Sequence, residues 1–196
     1  MRIKVNKGFI FVLVGPSGSG KTTLAKKILQ APGLKHQLIK PASFTTRPKR
    51  PGERNGRDYI FVSAGKFQAL LRQKKVLEHT RYLGYDYATP RTLARQAKAR
   101  AAHRILCLDI KGALFVKRAY PARAIIIFIK PPSLRIAKER IVGRSARTSL
   151  NELKQRMRLA RREIGFAKQC DYCLVNNNLN KAGREIERVI KWTISR

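Results

Sequence analysis

A glycine-rich stretch at residues 15–22 strongly constrains the fold of the chain. Residues 15–22 read Gly-Pro-Ser-Gly-Ser-Gly-Lys-Thr and match the full pattern G-x-x-x-x-G-K-[ST]. The stretch follows a continuous apolar run, Phe9–Val14, whose β-branched and aromatic residues predict a buried strand. Residues 22–30 continue with apolar side chains at helical spacing. A strand, a glycine loop and a helix in this order predict an α/β fold with a phosphate-binding loop, or P-loop.

Each part of the loop has a chemical reason. Its glycines let the backbone wrap around a phosphate, and the following helix directs its positive end at the anion. Lys21 would bring a charge to the β- and γ-phosphates, and the Thr22 hydroxyl would bind Mg²⁺. We therefore predict that the chain binds ATP and Mg²⁺. The residues predicted to hold ATP are Gly15, Pro16, Ser17, Gly18, Ser19, Gly20, Lys21, Thr22 and Thr23.

The rest of the chain alternates buried strands with helical segments. Further strands are predicted at Ile105–Ile110, Ala124–Ile129 and Tyr172–Val175, and helices at 91–102, 133–142, 150–167 and 181–194. This alternation predicts the three-layer P-loop NTPase fold, a parallel sheet covered on both faces.

One region interrupts the alternation. Residues 41–90 hold Pro-, Arg- and Gly-rich turns, many aromatic residues, a short strand at Tyr59–Val62 and a helix at Ala64–Lys74. We interpret 41–90 as a subdomain inserted into a single domain that spans 1–196, with 1–40 and 91–196 as its core. A second irregular segment, Gly143–Ser149, is flanked by arginines.

Charge and cysteine content suggest partners and compartment. The chain has 44 Lys and Arg residues against 11 Asp and Glu residues, a formal net charge of +33. Because such a surface attracts polyanions, non-specific nucleic-acid binding is one expected property.

The first apolar run is too short to span a membrane and leads into the glycine loop rather than a cleavage site. With an odd set of three cysteines, this predicts a cytoplasmic protein without a membrane partner.

A longer set of motifs points to the phosphoryl acceptor. Residues 43–59 read S-F-T-T-R-P-K-R-P-G-E-R-N-G-R-D-Y. In the same order follow Y-x-T-P at 87–90, L-D-I at 108–110, I-F-I-x-P-P-S at 127–133 and D-Y-x-x-V-N at 171–176. This ordered set resembles the guanylate kinase family over nearly the whole chain. The resemblance implies transfer of the γ-phosphate of ATP to GMP, with the inserted subdomain binding GMP.

The resemblance also assigns residues to GMP. Arg47 and Arg50, three apart in a Pro-bounded turn, would offer forked donors to the GMP phosphate, and the Tyr59 hydroxyl would add a third contact. Glu78 matches the family glutamate whose carboxylate accepts from the adjacent N1–H and N2–H donors of guanine, a pair that adenine lacks. The remaining residues implied for GMP are Ser43, Tyr87, Thr89 and Asp109.

For the transfer step, the resemblance assigns the developing negative charge to four cations. These are Lys21 and the arginines Arg140, Arg144 and Arg156 of a short lid, which the resemblance implies over about residues 140–156. Asp109, at the end of a predicted strand, is also placed to hold a water of the Mg²⁺ ion that Thr22 would bind.

Three departures from the family pattern concern the acceptor site and the lid. Guanylate kinases usually carry D-I-D-x-Q-G after the buried strand, whereas this chain has D-I-K-G at 109–112. The usual Y-G-T has become Y-A-T at 87–89, and the lid segment G-R-S-A-R-T at 143–148 is one residue longer, so that Arg147 is a candidate substitute for a neighbouring arginine.

Three alternatives remain open from the sequence. Ribose bisphosphate kinases resemble guanylate kinases, but Ser43, Arg50, Tyr59 and Glu78 together favour a purine monophosphate. A non-catalytic guanylate-kinase-like module typically has a damaged P-loop, and this loop retains its glycines and Lys21. A nucleic-acid-associated protein is suggested by the charge alone, because no recognised nucleic-acid-binding motif is present.

Overall fold

The computed structural model describes residues 8–91, 103–144 and 149–196, and of residue 144 only the backbone. The predicted helix over 91–102 therefore lies outside the described residues except for its first position. In chain order the strands are β1 (Ile10–Val14), β2 (Leu38–Ile39), β3 (Ser43–Thr45), β4 (Tyr59–Phe61), β5 (Val76–Tyr82), β6 (Tyr85–Pro90), β7 (His103–Cys107), β8 (Ala124–Lys130) and β9 (Tyr172–Val175). The helices are α1 (Lys21–Leu29), α2 (Ala64–Arg72), α3 (Ile110–Ala119), α4 (Leu134–Arg144), α5 (Leu150–Ile164) and α6 (Leu179–Ile194).

The core is a five-stranded sheet in the order β2-β7-β1-β8-β9, and every pairing in it is parallel. β1 lies at the centre, where Phe11 pairs with Ile105 on one side and with Ile125 on the other. All five β1 residues are buried, because a central parallel strand is covered on both faces. The predicted parallel sheet is confirmed.

Helices cover both faces of this sheet. On one face, Leu24 and Ile28 of α1 share a buried cluster with Ile186 and Ile190 of α6. On the other face, α3 packs through Ala113 and Val116 beside Phe166, which belongs to a 3₁₀ turn at Gly165–Gln169. The three-layer arrangement predicted from the alternation of strands and helices is therefore confirmed.

A second, four-stranded sheet in the order β4-β3-β6-β5 lies within residues 43–90. β5 and β6 form an antiparallel hairpin, and β3 joins β4 in parallel and β6 in antiparallel pairing. α2 closes this sheet, with Phe67 and Leu70 packed near Val76 and Ala88. This sheet is formed by residues of the segment 41–90, which the sequence analysis interprets as an inserted subdomain.

The two largest differences from the predicted boundaries concern β7 and α5. The strand predicted at Ile105–Ile110 runs from His103 to Cys107, because Asp109 caps α3 and its carboxylate accepts a hydrogen bond of 2.8 Å from the Gly112 amide. The helix predicted over 150–167 ends at Ile164, where the 3₁₀ turn takes over. Within the three described ranges, no helix combines the length and the apolar character needed to cross a membrane.

Candidate functional site

The glycine loop is pressed against the core at both ends. Gly15 has φ 143° and Gly20 has φ 93°, a backbone conformation that favours glycine. A Cβ atom at Gly15 would overlap the carbonyl oxygen of Ile129, and one at Gly20 would overlap the side-chain amide of Asn176. The loop is therefore a rigid turn between β1 and α1, and its first and last glycines are needed for close approach.

Asn176, directly after β9, fastens the loop. Its side-chain amide donates to the backbone carbonyl of Ser19 at 2.8 Å, and its backbone N–H donates to the backbone carbonyl of Lys130 at 2.8 Å. The Arg140 guanidinium donates to the Asn176 carbonyl at 3.1 Å. Since Asn176 is 3% exposed, this contact joins the P-loop to α4 through the interior.

Lys21 begins α1 and reaches back over its own loop. Its ammonium donates to the carbonyls of Gly15 at 2.5 Å and of Pro16 at 3.1 Å. The charge is thus held beside the backbone amides that would receive a phosphate.

One large cavity of about 1510 Å³ joins the loop to the second sheet. A pocket for a single small ligand usually holds roughly 300–1000 Å³, so this one has room for two. The predicted site residues that line it are Gly15, Ser17, Gly18, Gly20, Lys21, Thr22, Thr23, Ser43, Arg47, Arg50, Tyr59, Glu78, Tyr87, Asp109, Arg140 and Arg156.

Four predicted site residues are placed differently. Pro16 and Ser19 are not among the lining residues, and Ser19 is fully buried under the loop. Thr89 is also fully buried and lies behind Glu78. Arg144 is the last residue of α4 and its side chain lies outside the described structure, as does Arg147.

The turn after β3 holds Arg47 in place. Glu53 accepts two hydrogen bonds from one guanidinium nitrogen of Arg47, at 2.9 and 3.0 Å, and a third from the backbone N–H of Arg50 at 2.9 Å. Arg47 is only 5% exposed. Glu53 therefore fixes the guanidinium of Arg47 and the backbone at Arg50, and both residues line the cavity.

Tyr59 lies next to this ion pair. The guanidinium carbon of Arg47 is 5.3 Å from the centre of the Tyr59 ring, a cation–π distance. Burial raises the pKa of the Tyr59 hydroxyl to about 12, so that it stays protonated and can donate a hydrogen bond.

Glu78 presents a buried carboxylate to the cavity. One oxygen accepts a hydrogen bond of 2.5 Å from the Thr89 hydroxyl. The other oxygen, Oε2, is buried, and no described group donates to it. Burial raises the pKa of this carboxyl, because the charged form loses its hydration there. A buried acceptor without a donor is costly, and a ligand with N–H groups would satisfy it.

Asp109 is close to Glu78 but is already engaged. It accepts hydrogen bonds from the Thr80 hydroxyl at 2.7 Å and from the Gly112 amide at 2.8 Å. A Cβ atom at Gly112 would lie 2.9 Å from Glu78 Oε2 and 3.3 Å from Asp109 Oδ1. The two carboxylates thus line the cavity side by side, with Gly112 packed close against both.

α5 also lines the cavity. Arg156 is 9% exposed; it donates to the Ser17 hydroxyl of the P-loop at 2.9 Å and through two nitrogens to Glu152 at 2.8 and 2.5 Å. Glu163 lies about two turns further along the same face of α5 and lines the same cavity. Burial raises its pKa to about 7, while the charge of Lys21 opposes the shift and that of Asp109 adds to it. The helix therefore brings one cation and two acids to the cavity.

Sequence reasoning missed several residues of the site. Glu53 lies inside the quoted motif but received no role, and the same holds for Asn176. Glu152 and Glu163 were recognisable, because positions 152, 156 and 163 fall on one face of a helix with 3.6 residues per turn. No sequence signal singles out Thr80, whose role follows from the pairing of β5 with β6.

The fold and the site together define a P-loop nucleotide-binding protein: a parallel sheet, a glycine loop ahead of α1, and one cavity shared with a second sheet. Comparison with known proteins narrows this class. The family model described as guanylate kinase matches residues 7–193, and the chain belongs to the guanylate kinase family. It is 41% identical over 180 residues to a guanylate kinase of Thermus thermophilus, covering 92% of this chain and 78% of that one.

Other relatives agree. A guanylate kinase of Streptococcus agalactiae is 36% identical over 185 residues, covering 94% of this chain and 87% of the relative. The crystal structure of guanylate kinase from Anaplasma phagocytophilum superposes with a TM-score of 0.77 at 26% identity, covering 95% of this chain and 86% of that one. The family assignment suggested by the motifs is therefore confirmed, as is the class of ATP-dependent nucleoside monophosphate kinase.

Proposed function

We propose that this chain transfers the γ-phosphate of ATP to GMP, yielding ADP and GDP. The observation that carries the proposal is the cavity itself, which joins an intact P-loop to a buried carboxylate at its other end. ATP would lie with its phosphates on the loop, and GMP would lie against the second sheet. The γ-phosphate of ATP and the phosphate of GMP would then meet between the loop and the second sheet, in the region lined by the arginines.

Guanine recognition rests on Glu78. The buried Oε2 atom, to which no described group donates, is an acceptor that guanine N1–H and N2–H can satisfy together with Oε1. Adenine offers no such donor pair and would leave the carboxylate unsatisfied, so the site discriminates through the cost of a buried unpaired acceptor. Ser43, Tyr87 and Thr89 complete the proposed guanine-binding set, with Thr89 acting through its hydrogen bond to Glu78.

The GMP phosphate would be held by the ordered turn after β3. Arg47 and Arg50 offer guanidinium donors, and the protonated Tyr59 hydroxyl adds another. Because Glu53 already orients this turn, little side-chain freedom would be lost when the phosphate binds.

Transfer itself requires positive charge around the moving phosphoryl group. Lys21 would follow the β- and γ-phosphates, while Arg140 and Arg156 approach the loop from α4 and α5. We assign the same task to Arg144. Closure of the lid, about residues 140–156, and of the GMP-binding subdomain, about residues 41–90, over the core would exclude water as a competing acceptor.

The residues present fit a Mg²⁺ ion carried by the nucleotide. The Thr22 hydroxyl lies in the first turn of α1, and Asp109 lies just beyond the carboxyl end of the neighbouring strand β7. Both are hard oxygen ligands of the kind Mg²⁺ prefers. Thr22 would bind the ion directly and Asp109 through water. When bound, the ion would neutralise charge on the β- and γ-phosphate oxygens.

Compartment and further partners belong to the same proposal. All three cysteines, Cys107, Cys170 and Cys173, are free thiols, which fits a reducing cytoplasm. We expect ATP and GMP as the small-molecule partners and no membrane partner. Nucleic acid is a separate candidate partner for the basic exterior.

An acceptor screen tests the proposed reaction. Purified protein with Mg-ATP is offered GMP, dGMP, AMP, UMP, CMP and ribose bisphosphate in parallel, and ADP release is followed. We expect GMP to exceed AMP in kcat/KM by at least about a hundredfold, since rejection relies on unpaired buried polar groups. A preference for ribose bisphosphate would contradict the proposal and favour the alternative kinase class.

Glu53 offers a test of the phosphate-binding turn. Glu53→Gln is expected to raise the KM for GMP by roughly tenfold, because hydrogen bonds to charged groups contribute about 1.5–3 kcal/mol. The KM for ATP should hardly change. Steady-state kinetics with each substrate varied in turn measures both values.

The matched control for this test is Glu139→Gln, which breaks an exposed Arg135–Glu139 pair of 2.7 Å. Exposed pairs contribute little, so both KM values should stay at the wild-type level. A parallel rise in the KM values for ATP and GMP in Glu53→Gln would mean that Glu53 supports the fold rather than the GMP site.

A further inference from the structure

Helix α5 sorts its charges by face. Glu152, Arg156 and Glu163 turn toward the cavity. The opposite side of the helix carries four exposed cations, here called the α5 cation face. Its members are Lys154, Arg158, Arg161 and Arg162. Their spacing of three or four residues aligns them along one side of the helix.

Within the described part of the chain, no acid is paired with a cation of this face. The only two acids of α5 are Glu152 and Glu163, and both lie on the cavity side. Among the described residues, the ion pairs involve none of the four cations of the face. The face is therefore a row of positive charge in contact with solvent.

The distribution of acids over the whole molecule explains this surplus. Only 11 acidic residues stand against 44 basic ones. Those that line the cavity are Glu53, Glu78, Asp109, Glu152 and Glu163. Those that form ion pairs elsewhere are Asp58, Glu139, Asp171 and Glu187. The acids are thus largely engaged in the site or in local pairs, and the exterior keeps its positive charge.

The geometry points to a polyanion as the partner. With a rise of about 1.5 Å per residue, Lys154 to Arg162 extend over roughly 12 Å of helix. Phosphates along one strand of a duplex recur about every 3.4 Å along the axis, so the face can meet several at once. Because the row lies on a regular helix, its charges keep fixed spacing without needing a ligand to order them.

A nucleic acid suits this face better than a lipid surface. Helices that lie on membranes pair their cations with large apolar side chains that enter the lipid. Apart from Leu150 at its first position, α5 has no exposed large hydrophobic residue. We propose that the α5 cation face binds the sugar–phosphate backbone of nucleic acid without reading its sequence. The proposal is independent of the kinase reaction, because none of the four residues lines the cavity.

The test compares two variants of equal charge. In the first, Lys154, Arg158, Arg161 and Arg162 are all replaced by Gln. In the second, the exposed cations Lys66, Arg72, Lys74 and Lys75 at α2 are replaced by Gln. Fluorescence anisotropy with two unrelated DNA duplexes and one RNA duplex, from about 50 to 500 mM salt, gives the dissociation constant and its salt dependence.

We expect the α5 variant to bind at least about tenfold more weakly at low salt. The magnitude of its slope of log K against log salt should fall by up to roughly 3.6, because each lost phosphate contact removes about 0.9 from the slope. The α2 variant should change affinity less than about threefold. Both variants should retain the wild-type circular dichroism spectrum and melting temperature, which shows that they are folded.

Several outcomes would overturn the proposal. Equal losses in the two variants would mean that affinity follows total charge and has no dedicated surface. A strong preference for one duplex sequence would require contacts to the bases, which the α5 cation face does not provide. Vesicles rich in phosphatidylserine are tested alongside. If they bind the wild type more tightly than the duplexes do, and lose that binding in the α5 variant, the partner is a membrane surface.

Discussion

Lys21→Ala is expected to lower kcat for GMP phosphorylation by about a thousandfold or more while the chain remains folded. The lysine contributes charge where negative charge develops on the transferred phosphoryl group, and such contributions are the largest in phosphoryl transfer. The fold should survive because the two described hydrogen bonds of its ammonium go to carbonyls of its own loop, at Gly15 and Pro16.

A coupled ADP-release assay measures the loss, and circular dichroism with a thermal melt establishes folding. Lys27→Ala is the control, since Lys27 is an exposed lysine of the same helix. A folded Lys21→Ala enzyme that keeps more than about a few per cent of wild-type activity would show that the transferred group lies elsewhere.

Glu78→Gln is expected to lower kcat/KM for GMP by roughly 10- to 100-fold and to leave the KM for ATP almost unchanged. A Gln keeps one acceptor but turns an N–H₂ donor toward the donors of guanine, and a lost or opposed buried hydrogen bond costs about 1–3 kcal/mol. Since Glu78 is 6% exposed, solvent cannot compensate. Discrimination against AMP should shrink accordingly.

The measurement is kcat/KM for GMP and for AMP in the wild type and in the variant. Glu185→Gln on α6, away from the cavity, controls for the loss of one acid. If the wild-type enzyme uses GMP and AMP equally well, the assignment of Glu78 to guanine is wrong, whatever the variant does.

The core was predictable because its signals are local. β1 and β8 are short apolar runs that are almost entirely buried, and a strand buried on both faces has little other option. β9 is a short apolar run as well, although it lies at the edge of the sheet and is partly exposed. The end of β7 was predicted wrongly for a reason that is also local. Asp109 acts as a helix cap, and the apolar residues on either side of it concealed the break.

The second sheet was less predictable because its strands are defined by their partners. β3 and β4 have three residues each and only half-buried side chains for the most part. The short strand β4 was predicted, although it ends at Phe61 rather than at Val62. β3 was not, because it depends on pairing with β6, some 40 residues further along, which no local pattern specifies.

The site followed the same division. The P-loop and the GMP motif name many of the lining residues, because motifs record contacts to ligands. The groups that position those residues were missed, since they act on protein atoms. Glu53 orders Arg47, and Glu152 orders Arg156, through contacts that become visible only once both chain segments are folded.

The contact between Asn176 and Ser19 has a consequence for the order in which the enzyme is made. The two residues are 157 positions apart, so the glycine loop is synthesised well before Asn176, and this hydrogen bond can form only after β9 has been added. β1 likewise lacks both of its neighbours until β7 and β8 have emerged. An incomplete chain that stops before β9 therefore carries the whole phosphate-binding motif without the hydrogen bond from Asn176 that holds it in place.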